Sequence, residues 1–273
     1  MENATMTTRS GEQPNSDTAM FYRHVLETLN AAQVSFLVGG AYAFNRYTGI
    51  DRHTKDLDLF LRRSDFHRAA EALEKAGYRT ELTFSHWLGK AHHDGFYIDL
   101  IFSSGNAVAE VDDQWFEYAI EEEVLGVPVK ISPPEEMIWS KAYIMERERY
   151  DGADVAHLLR ACGDKFDWAR LFRRFDPHWR VLLAHLVLFG FIYPTHRKLI
   201  PASIMDELLE RLRREMHEET SSENICFGTL LSREQYLSDI EQESLQDGRL
   251  EPLGRMTPEQ TACWTRAIGE NRH

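Results

Sequence analysis

The stretch Asp56-Leu57-Asp58-Leu59-Phe60-Leu61 alternates a leucine with an acid or an aromatic residue. Successive side chains of an extended strand point to opposite faces. Leu57, Leu59 and Leu61 therefore enter a core, and Asp56 and Asp58 stand side by side on the other face. Two parallel carboxylates repel unless a cation lies between them, and hard oxygen ligands suit Mg2+ or Mn2+. A lone pair of this kind is more often two solvated acids on an edge strand, so the surrounding residues must decide.

Upstream, helical spacing over residues 21–32 is followed by a short apolar strand, 34–38, that ends in Gly39-Gly40 and runs into a helix-like stretch, 41–47. A glycine pair at a strand-to-helix turn lets backbone approach a ligand closely. The free N–H groups and positive dipole end of the helix suit phosphate. Downstream, Ser64 or Asp65 can cap a helix that runs to Lys75 and closes at Gly77. Residues 78–84 and 87–92 read as strands, and Asp94-Gly95 as a hairpin turn. In Phe96-Tyr-Ile-Asp-Leu-Ile-Phe, residues 96, 98, 100 and 102 share an apolar face. Asp99 stands on the other face with Tyr97 and Ile101, where a charge needs a partner or a metal. A hairpin with Gly126 at its middle spans 122–131.

After Pro133-Pro134 strand signals nearly vanish, and helices are expected over 135–150, 153–161, 168–175, 179–191 and 203–218. The expected fold class is α+β: a mixed-sheet domain over 17–132, then a helical domain over 133–219. Residues 1–16 read as a disordered tail without the apolar stretch of a secretory signal. Residues 220–273 read as an acidic C-terminal segment that packs only in part.

The chain has 31 basic and 44 acidic residues among 273, a net charge of −13. That balance argues against non-specific coating of nucleic acid, which needs clustered Lys and Arg. Cys162, Cys226 and Cys263 form no CxxC and no disulfide framework, and read as small core residues in a reducing compartment. The apolar run 181–194 is too short to span a bilayer and reads as a buried helix. No membrane association is expected, and the default location is the cytoplasm.

The ordered set of glycine pair, DxD strand and later single Asp resembles the nucleotidyltransferase superfamily that contains DNA polymerase beta. Arg52-His-Thr54-Lys-Asp56-Leu-Asp58 is similar to the run found in a branch of abortive-infection-type bacterial toxins. So is a helical Lys followed by an Arg and an Asp about ten residues on, here Lys141, Arg147 or Arg149, and Asp151 or Asp154. The resemblance covers about the first 160 residues and implies a mixed-sheet nucleotidyltransferase domain. Asp56, Asp58 and Asp99 would then be catalytic, binding Mg2+ or Mn2+. Gly39 and Gly40 would cradle the phosphates of an NTP, ATP by default. Lys141 would neutralise triphosphate charge, and an exposed helix lysine is an equal reading. Arg52 and Thr54 would contact phosphate or stabilise their loop. The implied reaction moves an NMP to an acceptor hydroxyl of RNA, protein or a small molecule with release of pyrophosphate. The toxin-like branch also implies an antitoxin partner.

Two rivals use the same residues: a non-catalytic nucleotide-binding module that retains the fold, and a metal-dependent phosphohydrolase. His92-His93-Asp94 reads as a hairpin shoulder, because adjacent strand residues point apart. Arg170, Arg173, Arg174 and Arg180, beside Trp168 and Trp179, read as the wet basic face of a helix rather than an RNA surface.

Overall fold

The computed structural model describes residues 16–52, 56–218 and 223–267. Its centre is a seven-stranded mixed sheet of order β3-β4-β5-β2-β1-β7-β6. Helix α1 (Ser16–Ala31) leads into β1 (Leu37–Val38), helix α2 (Gly40–Thr48) and β2 (Asp58–Phe60). A 3-10 turn and α3 (Phe66–Lys75) precede the antiparallel run β3 (Arg79–Phe84), β4 (Leu88–His93) and β5 (Phe96–Ile101). Helix α4 (Asp113–Glu117) then delivers the hairpin β6 (Ile120–Val124) and β7 (Val127–Ile131).

The hairpins form where the turn chemistry demands. Asp94 and Gly95 have φ of 48° and 85°, and Leu125 and Gly126 have 54° and 78°. Positive φ at both central residues gives a turn whose twist matches that of the flanking strands. The alternation in β2 holds: Leu57, Leu59 and Leu61 are fully buried, together with Leu26, Leu29 and Leu73 of α1 and α3. Strand β2 pairs parallel to β5 and antiparallel to β1, while β1 pairs parallel to β7. The strand order thus puts the Gly39-Gly40 turn on one flank of the acids and β4 on the other.

Helices α5 (Pro134–Lys141), α6 (Gly152–Cys162), α7 (Trp168–Arg174), α8 (Trp179–Ile192) and α9 (Ala202–His217) follow. The expected helix over 135–150 is therefore cut at Lys141. The amides of Met145, Glu146 and Asp151 bond to Leu231 O, Arg149 O and Ile144 O, partners that no α-helix would use. The acceptors of the expected N-cap are also different: Asp65 makes no side-chain cap bond and is held instead by Arg62 at 3.3 Å. Helix α8 is buried on one side only, with Val187, Leu188, Phe191 and Ile192 exposed. No helix among the described residues is long and apolar enough to cross a membrane.

Of the basic face expected around α7, Arg173 and Arg180 are exposed, but Arg170 and Arg174 are not. Arg170 and Arg174 turn inward onto Glu136, and Arg174 also grips Asp112 through bonds of 2.6 and 2.8 Å. This buried network ties α5 and α7 to the N-cap of α4. The segment after residue 222 forms β8 (Ile225–Cys226), α10 (Leu237–Glu243), β9 (Gln246–Asp247) and α11 (Pro258–Arg266). It docks on the sheet through Trp264, whose ring meets those of Phe84 and Trp87. Of the cysteines only Cys162 is buried, and burial pushes its thiol up to about 11. The first 15 residues of the expected tail lie outside the described residues, and Ser16 opens α1.

Candidate active site

Parallel pairing sets Asp58 beside Asp99 in register. Asp56 lies just before β2, two residues from Asp58, and keeps the strand's alternation. One carboxylate oxygen from each of Asp56, Asp58 and Asp99 lies within 4.8 Å of the others. The glycine pair closes against this cluster. Gly40 has φ of +52°, and a Cβ there would lie 1.8 Å from Asp58 Oδ2. A Cβ on Gly39 would lie 2.3 Å from the Phe60 ring. The Gly39 amide donates to the Asp58 carbonyl at 3.0 Å, so the turn and the acid strand are pinned together. Glycine is required here by close approach as well as by backbone angle.

Burial, then the charges of Asp56 and Asp99, push the Asp58 carboxyl up to about 7, against the opposing pull of Lys141 and Arg149. Asp99 is also raised, by burial first, although Lys90 pulls the other way. Three close carboxylates, two of them resisting ionisation, form a donor set that a divalent cation would satisfy. A cation's charge would offset both shifts, and hard oxygens are the ligands that Mg2+ and Mn2+ prefer. The residues present fit the metal that the sequence pattern implies.

The cationic side of the site is a network. Lys141 Nζ, at the end of α5, lies 3.0 Å from Asp151 and 2.9 Å from Asp154. Arg149 holds both oxygens of Asp151, at 3.2 and 3.1 Å. Arg52 pairs with Asp154 and lies over the Phe44 ring at 4.2 Å. Burial alone would raise Asp151, but Lys141 and Arg149 overcome it and hold the carboxyl below its usual range. Of Arg147 and Arg149 it is Arg149 that pairs with Asp151, and both Asp151 and Asp154 engage Lys141. Arg52 reaches the helical half through Asp154, joining the loop before the acid strand to α6. Thr54 lies outside the described residues.

Lys90 and Tyr22 were not legible as site residues. Lys90 stands directly opposite Asp99 in the β4–β5 ladder, with Nζ 2.6 Å from Oδ1. Only the strand register reveals this pairing; nothing in the surrounding motif marks it. The Tyr22 phenol is raised by burial first, then by the charges of Tyr42, Asp56, Tyr97 and Asp58. His92 and His93 flank the hairpin turn, with His92 3.3 Å from Glu81.

The family described as an uncharacterised nucleotidyltransferase matches residues 19–189. The chain belongs to this nucleotidyltransferase family. The matched region runs from α1 into α8 and so contains the acids, the glycine pair and the Lys141 network of the nucleotidyltransferase. Among proteins of curated function, none matches the sequence. Solved structures resemble it at low identity. The antibiotic-resistance factor ANT(2'')-Ia is 17% identical with a TM-score of 0.44, covering 63% of this chain and 98% of that one. The lincosamide antibiotic adenylyltransferase LnuA, in a lincomycin-bound structure, is 15% identical with a TM-score of 0.38, covering 54% and 98%. An antigenic nucleotidyltransferase-like protein from Paracoccidioides brasiliensis is 13% identical with a TM-score of 0.44, covering 67% and 92%.

Proposed function

We propose that this nucleotidyltransferase moves an NMP from an NTP to an acceptor hydroxyl with release of pyrophosphate, in a metal-dependent reaction at Asp56, Asp58 and Asp99. The observation that carries this reading is the convergence of the three carboxylates within 4.8 Å, directly against the glycine turn. A divalent ion held there would neutralise phosphoryl charge and lower the pKa of the acceptor hydroxyl.

The protein's own groups divide the remaining work. Gly39 and Gly40 let the α2 N-terminus close onto Phe60 and Asp58, and the helix dipole there would favour phosphate oxygens beside the acids. Lys141 and Arg149 present positive charge toward Asp58, on the side that a triphosphate would occupy. Arg52 fixes Asp154, which in turn orients Lys141. The acceptor oxygen attacks the α-phosphorus as the bond to the pyrophosphate oxygen breaks, and the hydroxyl proton passes to Asp99 or to solvent. The helical half would close over the nucleotide. ATP is the default donor, Mg2+ or Mn2+ the metal, and RNA, a protein hydroxyl or a small molecule the acceptor.

The test compares wild type with Asp56→Ala/Asp58→Ala. Each is incubated with each α-labelled NTP, Mg2+ or Mn2+, and cell extract fractionated into RNA, protein and small molecules. Label entering one fraction with wild type alone supports the transfer reading and names the acceptor class. Nucleotide bound without any labelled product would replace it with the non-catalytic binding module. Growth arrest on expression of wild type but not Asp56→Ala tests the toxin-like branch and its antitoxin partner; equal growth removes both.

A further inference from the structure

Lys90 is set apart from the surface lysines by where its charge is held. It lies in the middle of β4, directly across from Asp99 in an antiparallel ladder, so both Cα positions are fixed by the sheet. Its ammonium sits 2.6 Å from Asp99 Oδ1 and 4.3 Å from the centre of the Tyr97 ring. Both side chains of the ion pair are mostly shielded from solvent, at 22% and 15% exposure. A pair of this kind is screened far less than a surface salt bridge. Register places Tyr97, Asp99, Lys90 and His92 on one face, so this ammonium abuts the three-acid cluster on the flank away from the glycine turn.

An ammonium at this distance takes up one of the two lone pairs of Oδ1 and leaves less capacity there for another cation. The fixed positive charge also opposes a second one nearby. We propose that Lys90 is a positioning residue that competes with divalent metal for Asp99, so that full metal loading of the three-acid site requires Lys90 to release Oδ1. The ammonium then orients Asp99 before loading and weakens the site's intrinsic metal affinity. This inference rests on the reading of the three acids as metal ligands.

Mn2+ alone is the probe, titrated by calorimetry at pH 8 into the full chain. The proteins are wild type, Lys90→Met, Lys90→Gln, Lys90→Arg, and Lys90→Met in an Asp99→Asn background. Thermal melts report whether each variant is folded. The two neutral variants are expected to bind Mn2+ at least about tenfold more tightly than wild type, from removal of a nearby like charge. Lys90→Arg should stay within about twofold, because the positive charge persists. In the Asp99→Asn background, Lys90→Met should tighten binding by less than it does with Asp99 present, because only the like-charge repulsion remains and the competition for the Asp99 carboxylate is gone. Equal affinity in wild type and in either folded neutral variant would overturn the role of Lys90 and leave the metal site standing. Failure of every protein to bind Mn2+ would overturn both.

Discussion

Gly40 and Asp58 are in such close approach that a Cβ on the glycine would fall 1.8 Å from Oδ2 of the acid. Gly40 also has a positive φ of 52°, so the position carries both a steric and a conformational demand. Gly40→Ala should displace Asp58 from the other two acids. Nucleotidyl transfer should fall by at least about a hundredfold, the scale expected when a catalytic geometry is lost by an ångström. Gly95 is the control. It too has a positive φ, of 85°, but its Cβ would meet nothing within 4 Å. Gly95→Ala should lower stability by about 1 kcal/mol and leave transfer intact. Parallel activity assays and thermal melts separate the two effects.

The upward shift of Asp58, to about 7, gives stability a defined pH dependence. A carboxyl whose folded pKa exceeds its unfolded value near 3.8 favours the fold most while protonated. Its contribution is full below about 4 and is lost as pH rises toward and through 7. Without added metal, the melting temperature should therefore carry a declining component across that window. Divalent metal competes with the proton for the same carboxylate, so the stabilisation produced by Mn2+ should be larger at pH 8 than at pH 6. In Asp58→Asn the metal-dependent increment should collapse at both. Thermal melts with and without Mn2+ at the two pH values check the sign.

The sheet and the acid cluster were legible because short-range chemistry specifies them. Leu57, Leu59 and Leu61 announce a half-buried strand, Asp94-Gly95 and Leu125-Gly126 a pair of tight turns, and the order of glycines and acids the site. What escaped depends on distant partners. Helical periodicity runs on past Lys141, but Asp151 and Asp154 pair with that lysine only if the chain leaves the helix. Arg170 and Arg174 look like a solvated face until Glu136 and Asp112 are brought against them. Lys90 meets Asp99 only through the β4–β5 register, which a single strand pattern does not specify. The C-terminal segment is acidic and polar, yet Trp264 and the buried Asp247–Arg249 pair anchor it.

Glu136 is fully buried and receives both Arg170 and Arg174. Arg170 is itself 3% exposed. Truncating one member of a buried ion network leaves the others charged and unpaired, which costs about 3–5 kcal/mol. Glu136→Ala should destabilise the fold by about that amount in urea denaturation. Arg170 also pairs with the buried Glu135 at 2.9 Å, so Glu135→Gln/Glu136→Met/Arg170→Met, which leaves no carboxylate orphaned by the loss of Arg170, should be markedly more stable than Glu136→Ala. A triple variant as unstable as the single one would show that the cost comes from lost packing rather than from an orphaned charge.

Trp264 is the apolar anchor of the C-terminal segment. Its ring centre is 4.9 Å from that of Phe84 and 5.3 Å from that of Trp87, both at steep angles. Arg233 also lies over the ring at 4.6 Å. The tight fit at Gly105, where a Cβ would come within 2.7 Å of the indole, shows that the β5 exit is shaped to admit it. Edge-to-face aromatic pairs contribute about 0.5–1.5 kcal/mol each beyond the area they bury. Trp264→Ala should therefore release the segment locally while the sheet stays folded. Limited proteolysis should cleave the variant within 223–267 and leave a resistant fragment containing residues 16–218. Resistance equal to wild type would mean that the Asp247–Arg249 pair and the buried Met256 hold the segment without the indole.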